Sequence, residues 1–216
     1  MASRYWVGGS ATWDATAGTK WATTSGGAGG AAVPGSGDDV FFDAASGAVT
    51  VTTGGAACVG RDMTFTGFTG TLAGTIGLNV NRDVVLDAGM TITNTGNLVM
   101  QGATGNVTTN GKMLGGIFLV NASGGTITLL DDLNNSTRTF RLLSGTLDLN
   151  GKTVTCGNFD MNSANTKVLT MGASVVNCTA WTLNATGTTL NANTSEIKSS
   201  TSAFVFTGGG KTYYKL

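Results

Sequence analysis

Val154-Thr155-Cys156-Gly157-Asn158-Phe159-Asp160-Met161-Asn162 lays directly over Val176-Asn177-Cys178-Thr179-Ala180-Trp181-Thr182-Leu183-Asn184. Val, Cys, an aromatic residue, a long aliphatic residue and Asn coincide at an offset of 22. Outward from this pair the register holds. Leu147 matches Leu169 and Leu149 matches Met171 at the same offset, and Leu190 and Ile197 continue the series at an offset of 21. In the other direction, Gly145-Thr146-Leu147-Asp148-Leu149 repeats Gly125-Thr126-Ile127-Thr128-Leu129 at an offset of 20, and Asn110-Gly111-Lys112 anticipates Asn150-Gly151-Lys152 by 40, two periods.

A repeat of 20–22 residues, holding two or three short alternating apolar runs with Gly or Asn between them, is the signature of stacked coils. The fold class is therefore all-β, a parallel β-solenoid (β-helix). Successive coils stack at about 4.8 Å, so like residues pile into ladders. Leu147, Leu169 and Leu190 are predicted to form one inward ladder, and Val154, Val176 and Ile197 another. Cys156 and Cys178 should lie one coil apart on one face. Asn suits the corners because it tolerates left-handed backbone and bonds main chain locally. From Val49 to Phe206 the period predicts roughly seven coils, rising about 35 Å. Lys167, as a charged side chain, is expected on the surface.

The composition of the 216 residues agrees. There are 34 glycines, one proline, no histidine and only 11% charged residues, and the 3.6-residue rhythm of helices is missing. The 41% hydrophobic residues alternate regularly, which argues against disorder. A formal net charge of zero provides no footprint for nucleic acid or an anionic membrane. No run approaches the roughly 18 apolar residues of a membrane span, and the opening Met1-Ala2-Ser3-Arg4-Tyr5-Trp6 has no apolar signal core. Cys58, Cys156 and Cys178 cannot all pair within one chain, so they read as reduced, buried thiols of a protein assembled in a cytoplasm.

Chemistry is sparse. Without histidine the commonest general base and most zinc sites are gone. Glu196 is the only glutamate, and Asp131-Asp132 would point to opposite faces of a strand or serve a turn. The chain is read as no enzyme, and no cofactor is implied. Asp38, Asp39 and Asp43 form the one acidic cluster, a candidate calcium site through carboxylate oxygens. The alternative for them is a loop that hydrogen-bonds its own backbone. Gly26-Gly27-Ala28-Gly29-Gly30 lacks the Lys-Ser/Thr that completes a phosphate loop.

Aromatic residues gather at the two ends. Tyr5, Trp6, Trp13, Trp21, Phe41 and Phe42 crowd the N-terminal segment with Pro34, while Phe204, Phe206, Tyr213 and Tyr214 crowd the C-terminal one. Residues 1–47 are accordingly expected to be a cap or docking segment and residues 48–216 the solenoid. The six N-terminal aromatics are the candidate interface, either as an intramolecular plug over an open strand edge or as an anchor for a partner.

Arg4-Tyr5-Trp6-Val7-Gly8-Gly9, Thr12-Trp13-Asp14, Lys20-Trp21 and Val33-Pro34-Gly35-Ser36-Gly37-Asp38-Asp39-Val40-Phe41-Phe42-Asp43 together resemble the opening of many tailed-phage virion proteins. The same layout is similar to bacterial autotransporter-type passenger repeats. Gly145-Thr146-Leu147-Asp148-Leu149-Asn150-Gly151-Lys152 and Phe206-Thr207-Gly208-Gly209-Gly210-Lys211-Thr212-Tyr213-Tyr214 look like the solenoid parts of those phage proteins. The resemblance implies a non-enzymatic virion protein at the particle surface. Because the sequence stops soon after Tyr214, a capsid decoration (cement) protein is expected ahead of a tail-fibre or tailspike adhesin, with a bacterial surface adhesin third. The expected partners are further copies of the chain, a trimer being favoured, and the major capsid protein or other virion proteins. A host surface glycan accompanies the tail-fibre reading.

Overall fold

The computed structural model describes every residue except Ala56, Ala57 and Ser200. It is an all-β parallel solenoid of about eight turns. Strands of successive turns line up in three ladders of parallel strands, which form three faces. The first face runs from Ser3–Trp6 through Asp39–Phe41, Met63–Thr64, Val84–Val85 and Thr104–Thr108, and ends at Lys167–Thr170 and Thr188–Asn191. The second begins with Ala11–Trp13, Thr50–Thr53, Thr71–Gly74 and Thr91–Ile92. It continues further along the chain with Leu133–Asn135, Thr153–Cys156, Val175–Cys178 and Glu196–Ser199. The third joins Cys58–Gly60, Leu78–Val80 and Leu98–Met100 to the first parts of Phe118–Leu129 and Phe140–Asp148, and closes on Val205–Thr207.

The alternation of each short strand sends one residue in and the next out. Inside, like residues stack as the repeat predicts. Leu147, Leu169 and Leu190 are register partners, as are Leu133, Val154, Val176 and Ile197. On the third face Phe118, Phe140, Phe159, Trp181 and Phe206 follow one another. Phe140–Phe159 and Phe159–Trp181 stack with ring centroids 4.9 and 4.8 Å apart. The corners obey the Asn reading. Asn110, Asn150 and Asn193 have φ near +50°, and Asn110 and Asn150 donate from Nδ2 to Leu86 and Leu129 of the preceding coil. At the corner between the third and first faces the coils approach so closely that a Cβ on Gly125 would lie 1.5 Å from the Ala103 carbonyl oxygen, so only glycine fits there.

Residues 1–47, expected as a cap or docking segment, are continuous with the solenoid. Asp39–Phe41 pairs in parallel with both Ser3–Trp6 and Met63–Thr64, and one apolar core runs from Trp6 to Ile197. The stack thus starts before Val49, which adds to the roughly seven coils counted from the period. Lys167 is not on the surface but only 1% exposed. It occupies an inward register position between Gly145 and Thr188, and its Nζ donates to the Ser163 and Asn165 carbonyl oxygens of the loop that covers it.

Both ends of the core are closed by the chain itself. At the N-terminal end Trp21–Ala22 folds back antiparallel on Ser3–Trp6. At the C-terminal end Tyr213 packs edge-on against Trp181, accepts from its Nε1 at 3.1 Å and donates to the Gly208 carbonyl oxygen. Glu196, paired with Lys198 and Lys215, holds the last residues on the second face.

Candidate functional site

The six N-terminal aromatics divide by the alternation of their strands. Trp6 and Phe42 point inward, and with Trp13 and Trp21 they form a cluster with centroids 5.1–5.9 Å apart. All four are at most 2% exposed. Phe42 stacks on Phe65 of the next coil at 4.7 Å, nearly parallel. These four therefore plug the first coil, the first of the two alternatives for the aromatic segment. Their neighbours Tyr5 and Phe41 point outward. They are register partners in adjacent strands, half-buried, with rings stacked at 4.6 Å and 13°.

Beside this pair runs a ladder of carboxylates. Asp39, Asp62 and Asp83 lie on the outward side of three consecutive strands of the first face, with Asn106 following. Like charges stacked at this spacing repel, and arginines from the preceding corners interleave with them. Arg61 grips Asp39 through two bonds of 2.7 and 2.6 Å. Arg82 takes both oxygens of Asp62 and lies 3.2 Å from Asp83. The bond to Asp39 holds the Arg61 guanidinium above its ordinary pKa, and that to Asp62 does the same for Arg82. The result is an interleaved stripe of three carboxylates and two guanidiniums alongside a stacked aromatic pair.

The candidate calcium ligands are not brought together. Asp38 accepts from the Ala2 and Gly35 amides and lies beside Arg4, Asp39 is held by Arg61, and Asp43 caps the short helix Ala44–Ser46. The backbone-bonding alternative describes Asp38 and Asp43. Asp131 and Asp132 point apart along the stack, Asp131 accepting from Thr109 and Asn110 of the preceding coil and Asp132 from the Thr153 amide of the following one.

The same use extends to every acidic residue. Each of the twelve carboxylates accepts from a named amide, hydroxyl or cation. Most of these bonds connect one coil to the next. This stitching was not legible in the sequence, where the acids stand alone and their partners lie about one period away.

No protein-family model, characterised protein or solved structure matches the chain.

Proposed function

We propose that the protein is a non-enzymatic structural component of a virion surface, a capsid decoration protein that attaches through its first coils. One observation carries the structural reading: all twelve carboxylates are engaged in holding turns and coils together. None stands free beside a second acid as general acid–base work requires. The virion assignment rests on the N-terminal and Gly-Gly-Gly-Lys-Thr-Tyr motifs. The attachment surface is the outward pair Tyr5–Phe41 with the Asp39–Arg61 bond beside it, because half-buried aromatics and Arg dominate interfaces.

Immunogold electron microscopy of purified tailed-phage particles, with antibody raised against this chain, tests the assignment. Label over the capsid supports it. Label confined to the tail would assign the chain to a fibre, and label only on bacterial cells would assign it to an adhesin.

A further inference from the structure

The outer side of the second face changes character along the stack. Its later strands carry Asp132, Lys198 and Glu196. Its first four strands, Ala11–Trp13, Thr50–Thr53, Thr71–Gly74 and Thr91–Ile92, form a separate four-stranded sheet, and every outward position on it is uncharged. Ser10 precedes one column, bonded through Oγ to the Thr50 amide, and the column continues with Thr71 and Thr91. A second column holds Thr12, Thr52 and Ala73, followed by Thr93. The residues between them point inward, with Val51 and Leu72 buried.

Among the described residues, the hydroxyls of Thr12, Thr50, Thr52, Thr71, Thr91 and Thr93 have no hydrogen-bond partner. Inward-facing Thr53, by contrast, donates to the Ile76 carbonyl oxygen and accepts from Asn94. In the first column the hydroxyls of Thr50, Thr71 and Thr91 repeat about every 4.8 Å. In the second, Ala73 separates Thr12 and Thr52 from Thr93, and the columns lie about 6.7 Å apart over about 14 Å of the stack. Each hydroxyl is both donor and acceptor, and each carries a methyl group beside it.

We infer that this sheet binds a neutral, extended, β-linked glycan lying along the solenoid axis. The coil spacing is close to the length of one pyranose residue in such a chain, so four coils meet three to four sugars in register. Sugar hydroxyls pair with the threonine hydroxyls, and the methyl groups meet the C–H faces of the rings. The lack of charge favours a neutral polymer over an ionic one, whose carboxylates would lose hydration with no cation to meet. The site lies on a different face from Tyr5–Phe41, so it stands or falls apart from particle attachment.

The test is native affinity electrophoresis of the full chain in gels cast with soluble mixed-linkage β-glucan or with alginate. The wild-type protein should be retarded by the glucan, insensitively to salt, and not by alginate. The triple variant Thr52→Val, Thr71→Val, Thr91→Val keeps shape and strand preference but removes three hydroxyls. It should bind about tenfold or more weakly with an unchanged melting temperature, while Thr126→Val on the first face should bind as wild type. No retardation of the wild type by the glucan, retardation by alginate alone, or equal retardation of the triple variant overturns the inference. Inhibition of ice recrystallisation without glucan binding also overturns it, and assigns the array to ordering water.

Discussion

Cys156 and Cys178 are direct register partners on the second face, one coil apart, with both thiols buried. Parallel neighbours sit about 4.8 Å apart, so the register read from the repeat is the register of the fold. Burial pushes the Cys178 thiol up to about 12, and Cys156 higher still, with the neighbouring thiol adding to the effect of burial. Cys58 is likewise raised to about 12 by burial. All three should resist Ellman's reagent in the folded protein at pH 8 and react fully in guanidinium chloride, because the thiolate is the nucleophile. Rapid stoichiometric labelling of the native protein would contradict this.

The same shifts set a pH dependence. A thiol whose folded pKa lies above its unfolded value of 9.0 contributes stability that is whole below that value and is lost as pH rises toward about 12. Urea midpoints should therefore be flat up to about pH 9 and fall above it, less steeply in Cys178→Ala. A Cys178→Ala curve parallel to wild type through that range would show that burial does not hold the thiol neutral.

Lys167 acts in the opposite direction. Burial lowers its pKa from 10.5, partly countered by Asp160, so the folded state is penalised while the ammonium is charged, and the penalty lifts as pH rises through the lowered value toward 10.5. Lys167→Met, which keeps the stem without the charge, should lack this gain. Lys167→Ser leaves a void and two carbonyl oxygens without their donor, and should cost about 1–3 kcal/mol in denaturant titrations. A cost under about 0.5 kcal/mol is what an exposed residue would give.

Where the sequence was legible, the reason is periodicity. Leu147, Leu169 and Leu190 occupy equivalent places in successive coils, so a 20–22-residue repeat reveals them as a ladder. Lys167 breaks the same logic. Its register slot is inward, but a charged residue in a sequence reads as surface, and its acceptors are main-chain carbonyl oxygens, which side-chain identity does not reveal. The aromatic segment was ambiguous for another reason. A tryptophan that plugs a core and one that anchors a partner look alike until alternation is fixed, and only the pairing of Tyr5 with Phe41 and of Trp6 with Trp21 fixes it.

Ladder and corner positions should separate cleanly. Leu169→Asp places an unpaired carboxylate between Leu147 and Leu190 and should cost more than about 4 kcal/mol, enough to abolish cooperative unfolding. Asn150→Ala must hold a left-handed backbone and also loses the bond to Leu129, for about 1–2 kcal/mol. Asn150→Gly keeps the backbone and loses only the bond, about 1 kcal/mol. Equal melting temperatures for the Ala and Gly variants would remove the backbone argument.

Plug and proposed anchor can be tested apart, because the inward and outward aromatics are different side chains. Trp6, Trp13, Trp21 and Phe42 cover Met63, Phe65 and Phe68 at the end of the core. Deleting residues 1–47 should therefore leave strand content but uncover an apolar coil edge, and the fragment should aggregate. A monomeric, soluble fragment would mean the aromatic cluster is dispensable as a plug. Truncation alone says nothing clean about docking, since a fragment that aggregates cannot be scored for binding. The double variant Tyr5→Ser, Phe41→Ser avoids this. It removes one outward stacked pair worth about 1 kcal/mol beyond its burial and leaves the inward cluster whole, so the protein should remain folded and monomeric. Mixed with particles stripped of this chain, it should occupy far fewer sites than wild type at equal concentration, and Arg61→Ala, which frees Asp39, should weaken occupancy in the same direction. If the folded double variant decorates particles to full occupancy, Tyr5 and Phe41 are surface aromatics with no part in attachment.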